Sequence, residues 1–262
     1  MNYNYHTHTK YCHHATGEAE EYIESAIKGG IKYLGFSDHI PFKFSDGHES
    51  SYRVSEGQVG EYFSGINELR KKYQEKIDIK IGFEMEYYHE SFRKMLENAI
   101  DFGAEYLILG QHYYSEEYPF GLPVIGPTDD ELNLKKYVEC IIDGMKSGVF
   151  TYIAHPDMIS FTGDMKLYEA KMREICISSR ELDVPLEINF QGMRLNRRYP
   201  NEDFWKIAGE EKSPVTFGCD AHKPQYAFDA ESLEKAKDLV EKYNLNYIGK
   251  PKLRMLKDIE VK

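Results

Sequence analysis

The sequence predicts an α/β fold in which parallel strands alternate with crossover helices, and three observations predict it. Short apolar runs alternate with longer amphipathic segments almost from end to end. The alternation recurs seven or eight times, and parallel neighbours need a crossover of a dozen or more residues, usually a helix. A chain of 262 residues is close to the roughly 250 typical of a barrel-type domain, so one domain over 1–262 is the economical reading. Closed on itself the series makes a barrel; left open, it makes a doubly wound sheet.

Taken in order, Tyr3–His6 reads as a strand and Ala19–Lys28 as a helix closed by Gly29-Gly30. Lys32–Ser37 is a second strand, followed by a Gly/Ser-rich loop near Pro41–Tyr52 and a helix across Ser55–Tyr73. Ile77–Met85 is strand-like and Phe92–Asp101 helical. Glu105–Gly110 is a strand, and a long loop with Pro119, Pro123 and Pro127 leads to a helix over Asp130–Lys146. Strand Thr151–His155, helix Met165–Leu182 and strand Pro185–Asn189 follow, then a short helix around Asn201–Gly209. Strand Pro214–Gly218, helix Ser232–Tyr243 and a short strand Asn246–Ile248 complete the series.

Composition narrows the class. The chain is 41% hydrophobic and 29% charged, which is the balance of an ordinary globular enzyme. Its formal charge is −11, and the one short basic stretch is Lys250-Pro-Lys-Leu-Arg254, so no broad grip on a nucleic-acid backbone is expected. No run approaches the ~20 apolar residues that cross a bilayer, and the first residues carry no positive segment ahead of an apolar one. Cys12, Cys140, Cys176 and Cys219 are scattered, as reduced thiols of a cytoplasmic protein would be. Oligomeric state leaves no mark on the sequence.

The histidines carry the functional signal. His6, His8, His39, His112, His155 and His222 each fall at or just past the end of an expected strand, and so do Glu84 and Asp220. In a parallel barrel the strand ends converge on one rim, where active sites form, so residues two hundred positions apart can share one site. His6-Thr-His8 places two imidazoles on one side of an extended segment, because side chains alternate with period two. Asp220-Ala-His222 repeats the device, with Cys219 turned into the packing. A lone strand-end histidine is most often a satisfied hydrogen-bonding residue; a set of five or six facing inward without a metal would strand many buried nitrogens. Imidazole and carboxylate suit zinc, manganese and iron.

With these residues in view, the chain resembles the polymerase and histidinol phosphatase (PHP) superfamily, and within it the histidinol-phosphate phosphatases. The resembling segments are His6-Thr-His-Thr-Lys-Tyr-Cys-His-His14, Ser37-Asp-His39 with Pro41, Gly82-Phe-Glu84, Gly110-Gln-His112, His155-Pro-Asp157 and Gly218-Cys-Asp-Ala-His222, in the family's order. The resemblance implies an α/β fold of distorted (β/α)7 TIM-like barrel type holding three divalent ions (Zn2+, Mn2+ or Fe2+). By it, His6, His8, Glu84 and Asp220 hold one ion, Glu84 bridges to a second at His112 and His155, and a third takes His14, His39 and His222. The family's spacing selects His14 over His13. His48 and His89 match no motif and are expected to face solvent.

The implied chemistry is hydrolysis of L-histidinol phosphate to L-histidinol and phosphate, by attack of a metal-bridging hydroxide on phosphorus. Three doubly charged ions against Glu84 and Asp220 leave roughly +4 in the site, enough to draw a phosphate dianion into an acidic protein. Glu84, Asp220 and His222 are the expected catalytic groups. Arg197 is the expected phosphate fork, Ser160 a second phosphate contact, and Glu117 in the loop Tyr113–Glu117 an acidic partner for the histidinol moiety. Asp157, Asp38 and metal-bound water are candidates for the acid that protonates the leaving group. Competing readings are a phosphoesterase of the same superfamily acting on nucleotides or DNA ends, and a related barrel hydrolase of amides or lactones. The latter needs a strand-end lysine, which is absent. From another class comes a non-catalytic metal-binding protein, disfavoured because structural zinc sites are closed, tetrahedral and often cysteine-rich.

Overall fold

The computed structural model describes residues 1–259, so the last three positions of the expected 1–262 unit lie outside the described residues. The chain runs β1 (Tyr3–Asn4), α1 (Ala19–Lys28), β2 (Tyr33–His39), α2 (Val59–Tyr73), β3 (Asp78–Met85), α3 (Phe92–Asp101), β4 (Tyr106–Gly110) and β5 (Pro127–Thr128). It continues α4 (Glu131–Ser147), β6 (Phe150–Ala154), β7 (Ser160–Phe161), α5 (Met165–Leu182), β8 (Leu186–Asn189), α6 (Phe190–Arg194), α7 (Glu202–Glu211), β9 (Pro214–Gly218), α8 (Ala230–Lys242) and β10 (Asn246–Tyr247). Helix starts are set by short polar side chains. Asp130, Asp164, Asn201 and Asp229 each accept a backbone N–H from the first turn of α4, α5, α7 and α8, occupying a donor the helix cannot satisfy itself.

Eight strands form one sheet in the order β1-β2-β3-β4-β6-β8-β9-β10, and every neighbouring pair is parallel. The sheet curls until its ends meet. Thr7 bridges Ala221 in parallel, with His8 N donating to Ala221 O at 2.9 Å and Ala221 N to His6 O at 3.2 Å. Lower down, β10 pairs with β9 while the Tyr247 and Tyr3 hydroxyls lie 3.2 Å apart, filling the gap where β1 and β9 diverge. The result is the expected distorted α/β barrel.

Alternation along the strands builds two apolar layers. Leu107 and Leu109 of β4 pack into the large cluster under the helices, whereas Tyr106 and Ile108 join Tyr3, Tyr5, Tyr152 and Ala154 in the barrel interior. The Tyr106 hydroxyl donates to Tyr5 O (2.9 Å) and Phe36 O (3.2 Å). Gly35 and Gly82 leave the room for its ring: a Cβ at either would overlap it. This plug fills the barrel interior beneath the strand ends that line the cavity.

Three local features depart from the sequence reading. Helix α2 begins at Val59 rather than Ser55, because Glu56–Gln58 turns as a 3-10 helix. The proline-rich loop is tied down by a small second sheet, β5 against β7, pairing Pro127 with Ser160. Helix α6 follows β8 without a loop, capped by Asn189, whose side chain accepts from Gly192 N. No helix among the described residues is long and apolar enough to cross a membrane.

Candidate metal centre

The strand ends gather the histidines where the barrel opens. His39 is the last residue of β2, Glu84 is next to last in β3, and His112, His155 and the Asp220–His222 pair lie just past β4, β6 and β9. His155 and Asp220 sit in the left-handed backbone region, with φ of 33° and 45°. For residues with side chains this costs on the order of 1–3 kcal/mol and persists only where the surroundings impose it. His155 N donates to Glu187 Oε2 at 3.1 Å, which supplies one such restraint.

Glu84 is the centre of the inner cluster. His6 Nε2 and His8 Nε2 are each 3.4 Å from its carboxylate, His39 Nδ1 3.3 Å, His155 Nε2 2.9 Å and His112 Nε2 3.5 Å. Asp220 lies 3.6 Å from His6 and 3.4 Å from His8. His6 with His8 and Glu84, and His39 with Glu84 and His112, each bring ligand atoms within 4.8 Å of one another, a span one ion can bridge. His155 groups with His6 and Asp220 as well as touching Glu84, so neighbouring sets overlap. Nearer the rim, His14, His39 and His222 form a further set, with Nε2 of His14 and His222 2.9 Å apart. Cys12 lies within the same span of His8 and His222, a proximity the scattered cysteines did not announce.

Most of these rings are oriented from behind. His6 Nδ1 meets Glu187 at 2.9 Å, His112 Nδ1 meets Glu86 at 2.7 Å, and His8 Nδ1 lies 3.5 Å from Asp38. His14 Nδ1 faces Cys12 O at 2.6 Å, and His222 Nδ1 faces Gln191 at 2.7 Å. Such partners set the tautomer and turn the other nitrogen towards the cavity. Asn189 donates to both Glu187 (2.8 Å) and Asp220 (3.1 Å), tying two layers together. Glycines make space for the acids: a Cβ at Gly110 would overlap the Glu84 carboxylate, and one at Gly218 the Glu187 carboxylate.

Sequence reading missed Glu187 and Glu86 as orienting groups. Their signals were present: Glu86 lies two residues beyond Glu84 and so shares its face, and Glu187 is a charged residue inside a short apolar strand.

Electrostatics divide the site. Burial disfavours the charged form of His6, but Glu187, Asp220 and Glu84 outweigh it and raise it to about 10. His8 is likewise raised against burial by Asp220, Asp38 and other partners, and His112 by Glu84 and Glu86. Burial also opposes ionisation of Glu84 and Asp220, yet the surrounding imidazoles hold both carboxyls well below their usual range. At the rim the sign reverses. Desolvation and neighbouring imidazoles push His14 down to about 4, and lower His39 and His222 too.

These residues fit divalent metal. Among the described residues, the majority of buried side-chain polar atoms lacking a hydrogen-bond partner are imidazole nitrogens: His6 Nε2, His8 Nε2, His39 Nδ1, His155 Nδ1 and His8 Nδ1, the last with Asp38 at 3.5 Å behind it. Each orphaned buried group costs about 1–3 kcal/mol. Several at one place mark a site completed by something that accepts lone pairs.

The cavity above them has a volume of about 440 Å³ and is lined by His8, His14, His39, His112, His155 and His222, by Glu84 and Asp220, and by Arg197 and apolar groups. Arg197 reaches it, with Nη1 3.3 Å from the Tyr199 hydroxyl. Two expected substrate contacts do not. Ser160 is buried in β7, its backbone N donating to Val124 O at 3.3 Å, and it does not line the cavity. Glu117 is buried and committed to Arg53 (Nε at 3.0 Å), Ser50, Tyr52 and Tyr88, so it has no free oxygen for a ligand. The candidate acids are also elsewhere: Asp38 accepts from Thr9, and Asp157 accepts from Asn201 N (2.6 Å) and Trp205 Nε1 (2.9 Å). His13, His48 and His89 are exposed.

The model of the PHP domain family matches residues 4–191, taking in the histidines from His6 to His155 and stopping short of Asp220 and His222. A probable histidinol-phosphatase of Deinococcus radiodurans is 25% identical over 228 residues, 84% of this chain and 85% of its own length. The histidinol-phosphatase of Bacillus subtilis is 24% identical over 262 residues, 86% of this chain and 96% of its own. The fold is shared with the histidinol phosphate phosphatase of Lactococcus lactis, solved with zinc, L-histidinol and phosphate: TM-score 0.70, 22% identity, 94% of this chain and 95% of that one. Since the family match takes in well over half of its length, this chain belongs to the PHP family.

Proposed function

We propose that the protein is a metal-dependent phosphomonoesterase that hydrolyses histidinol phosphate, working as one domain in the cytoplasm. The observation that carries the reading is the concentration of partnerless imidazole nitrogens and two ionised carboxylates on the floor of a cavity with one lining arginine. Three ions would be held by His6, His8, Glu84 and Asp220; by Glu84, His112 and His155; and by His14, His39 and His222. When bound, divalent ions supply Lewis acidity and an ionised water nucleophile near neutral pH.

The chain's own groups do the rest. Glu187, Glu86 and Gln191 fix the rings of His6, His112 and His222, so that little reorganisation is needed as charge develops on the phosphoryl oxygens. Arg197 offers planar donors to the phosphate from the cavity wall. Asp38, which accepts from Thr9, and Asp157, whose Oδ2 accepts from Asn201 and Trp205, do not line the cavity, so neither is placed to protonate the leaving alkoxide directly. Four free, buried cysteines suit a reducing compartment.

The test is phosphate release from histidinol phosphate, nucleoside monophosphates and an aryl phosphate by protein of measured metal content. Turnover should vanish on chelation and return with divalent ion, histidinol phosphate being preferred to nucleotides. Undiminished turnover after complete chelation refutes the mechanism, and equal rates across the panel refute the substrate assignment.

A further inference from the structure

Away from its metal-binding floor, the cavity is walled by Tyr52, Tyr113, Pro123, Ile125, Met158 and Leu195. Ile125 and Leu195 are 46% and 56% exposed, so bare apolar surface faces the space a ligand would fill. The rings of Tyr52 and Tyr113 lie nearly parallel, 23° apart with centroids separated by 6.3 Å. The Tyr52 hydroxyl donates to Glu117 behind the wall, so the ring is what this residue offers.

Among the described residues, no carboxylate belongs to that wall. The lining carboxylates, Glu84 and Asp220, both face imidazoles. Behind the wall, Glu86 is held by His112 (2.7 Å) and Arg53 (2.6 Å), and Glu117 by Arg53 and three hydroxyls. Among the described residues, the one basic side chain lining the cavity besides the imidazoles is Arg197, which repels a second cation. An ammonium group entering here would lose water and find no anion. A flat ring would cover the aliphatic residues and lie against aromatic ones.

From this we infer that the wall selects phosphate monoesters by a planar, uncharged portion of the leaving group, with Tyr52 and Tyr113 as specificity residues and no ion pair to a substrate ammonium. The inference rests on the phosphatase reading only in taking the metal floor as the phosphate anchor. For histidinol phosphate, it makes the imidazole ring, rather than the amino group, the part that is read.

The test uses ligands that cannot be hydrolysed, so recognition is measured apart from turnover. Dissociation constants of phenylphosphonate, propylphosphonate and 3-aminopropylphosphonate are determined calorimetrically on zinc-loaded protein. Phenylphosphonate should bind at least tenfold more tightly than propylphosphonate, and 3-aminopropylphosphonate no more tightly than propylphosphonate. Tyr113→Leu should cut the phenyl preference severalfold, while Tyr113→Phe keeps it. Tighter binding of the amine than of propylphosphonate, or no phenyl preference in the unaltered protein, overturns the inference whatever the variants do. A protein with the phenyl preference that releases no phosphate from any ester refutes the phosphatase reading and upholds this one.

Discussion

The inner and outer halves of the centre hold similar imidazoles in opposite electrostatic settings. Around Glu84 and Asp220, His6 and His8 are buried and backed by Glu187 and Asp38, and they are poised to carry protons. At the rim, His14 and His222 are backed by a backbone carbonyl and an amide, and their trio with His39 is poised to stay neutral. The same side chain thus meets two electrostatic settings in one cavity. On the proposed ligand sets, the inner set with its two carboxylates should hold divalent metal more firmly than the outer set of imidazoles alone.

The sharpest way to break this contrast is Glu84→Gln. It removes the acid that five imidazoles face, and should lower phosphate release by on the order of 10²–10³-fold or more, with loss of inner metal by elemental analysis. Full metal content with undiminished rate would erase the distinction. Next in size, Glu187→Gln should weaken inner metal binding by about 10–100-fold, as loss of an orienting partner does, and leave the outer ion unaffected. A chelator titration resolves the two classes.

His14→Ala should cost about one equivalent of metal and spare the inner ions, because only the outer set includes that ring among its ligands. Loss of all metal would show that the halves are one cooperative unit.

The smallest effect is in protons. In the metal-free protein His6, raised to about 10, contributes stability below its unfolded value of roughly 6.5 that is lost as pH rises through about 10. Glu187, Asp220 and Glu84 thus favour its protonated form, and metal bound there would have to displace that proton. His14, pushed down to about 4, is already neutral. Zinc loading in weak buffer should release protons from the inner sites, with inner affinity climbing between about pH 6 and pH 8 while outer affinity stays flat. If His14→Ala abolishes the release, the assignment of the two halves is reversed.

Much of this was readable before any coordinates. Strand-end position brought His6, His39, Glu84, His112, His155 and Asp220 to one rim because parallel strands deliver their ends to the same side. Environment was not readable. Glu117 looks like an exposed loop acid, and only folding shows Arg53, from a loop without periodic pattern, buried against it. Ser160 follows a ligand segment closely, yet pairing with Pro127 turns it into a strand. Two-residue strands such as β5 and β7 leave no periodicity to detect.

Gly110 and Gly218 touch no substrate and bind nothing, yet each is an empty seat reserved for an acid on the neighbouring strand. A chain drifting through mutation can exchange much of its surface, but it cannot fill either seat without evicting the carboxylate. Positions 84 and 110 are thus coupled by shape: an added methyl at 110 demands a shorter acid at 84. Glycine there serves the chemistry through the space it leaves, even though it has no side chain to perform it.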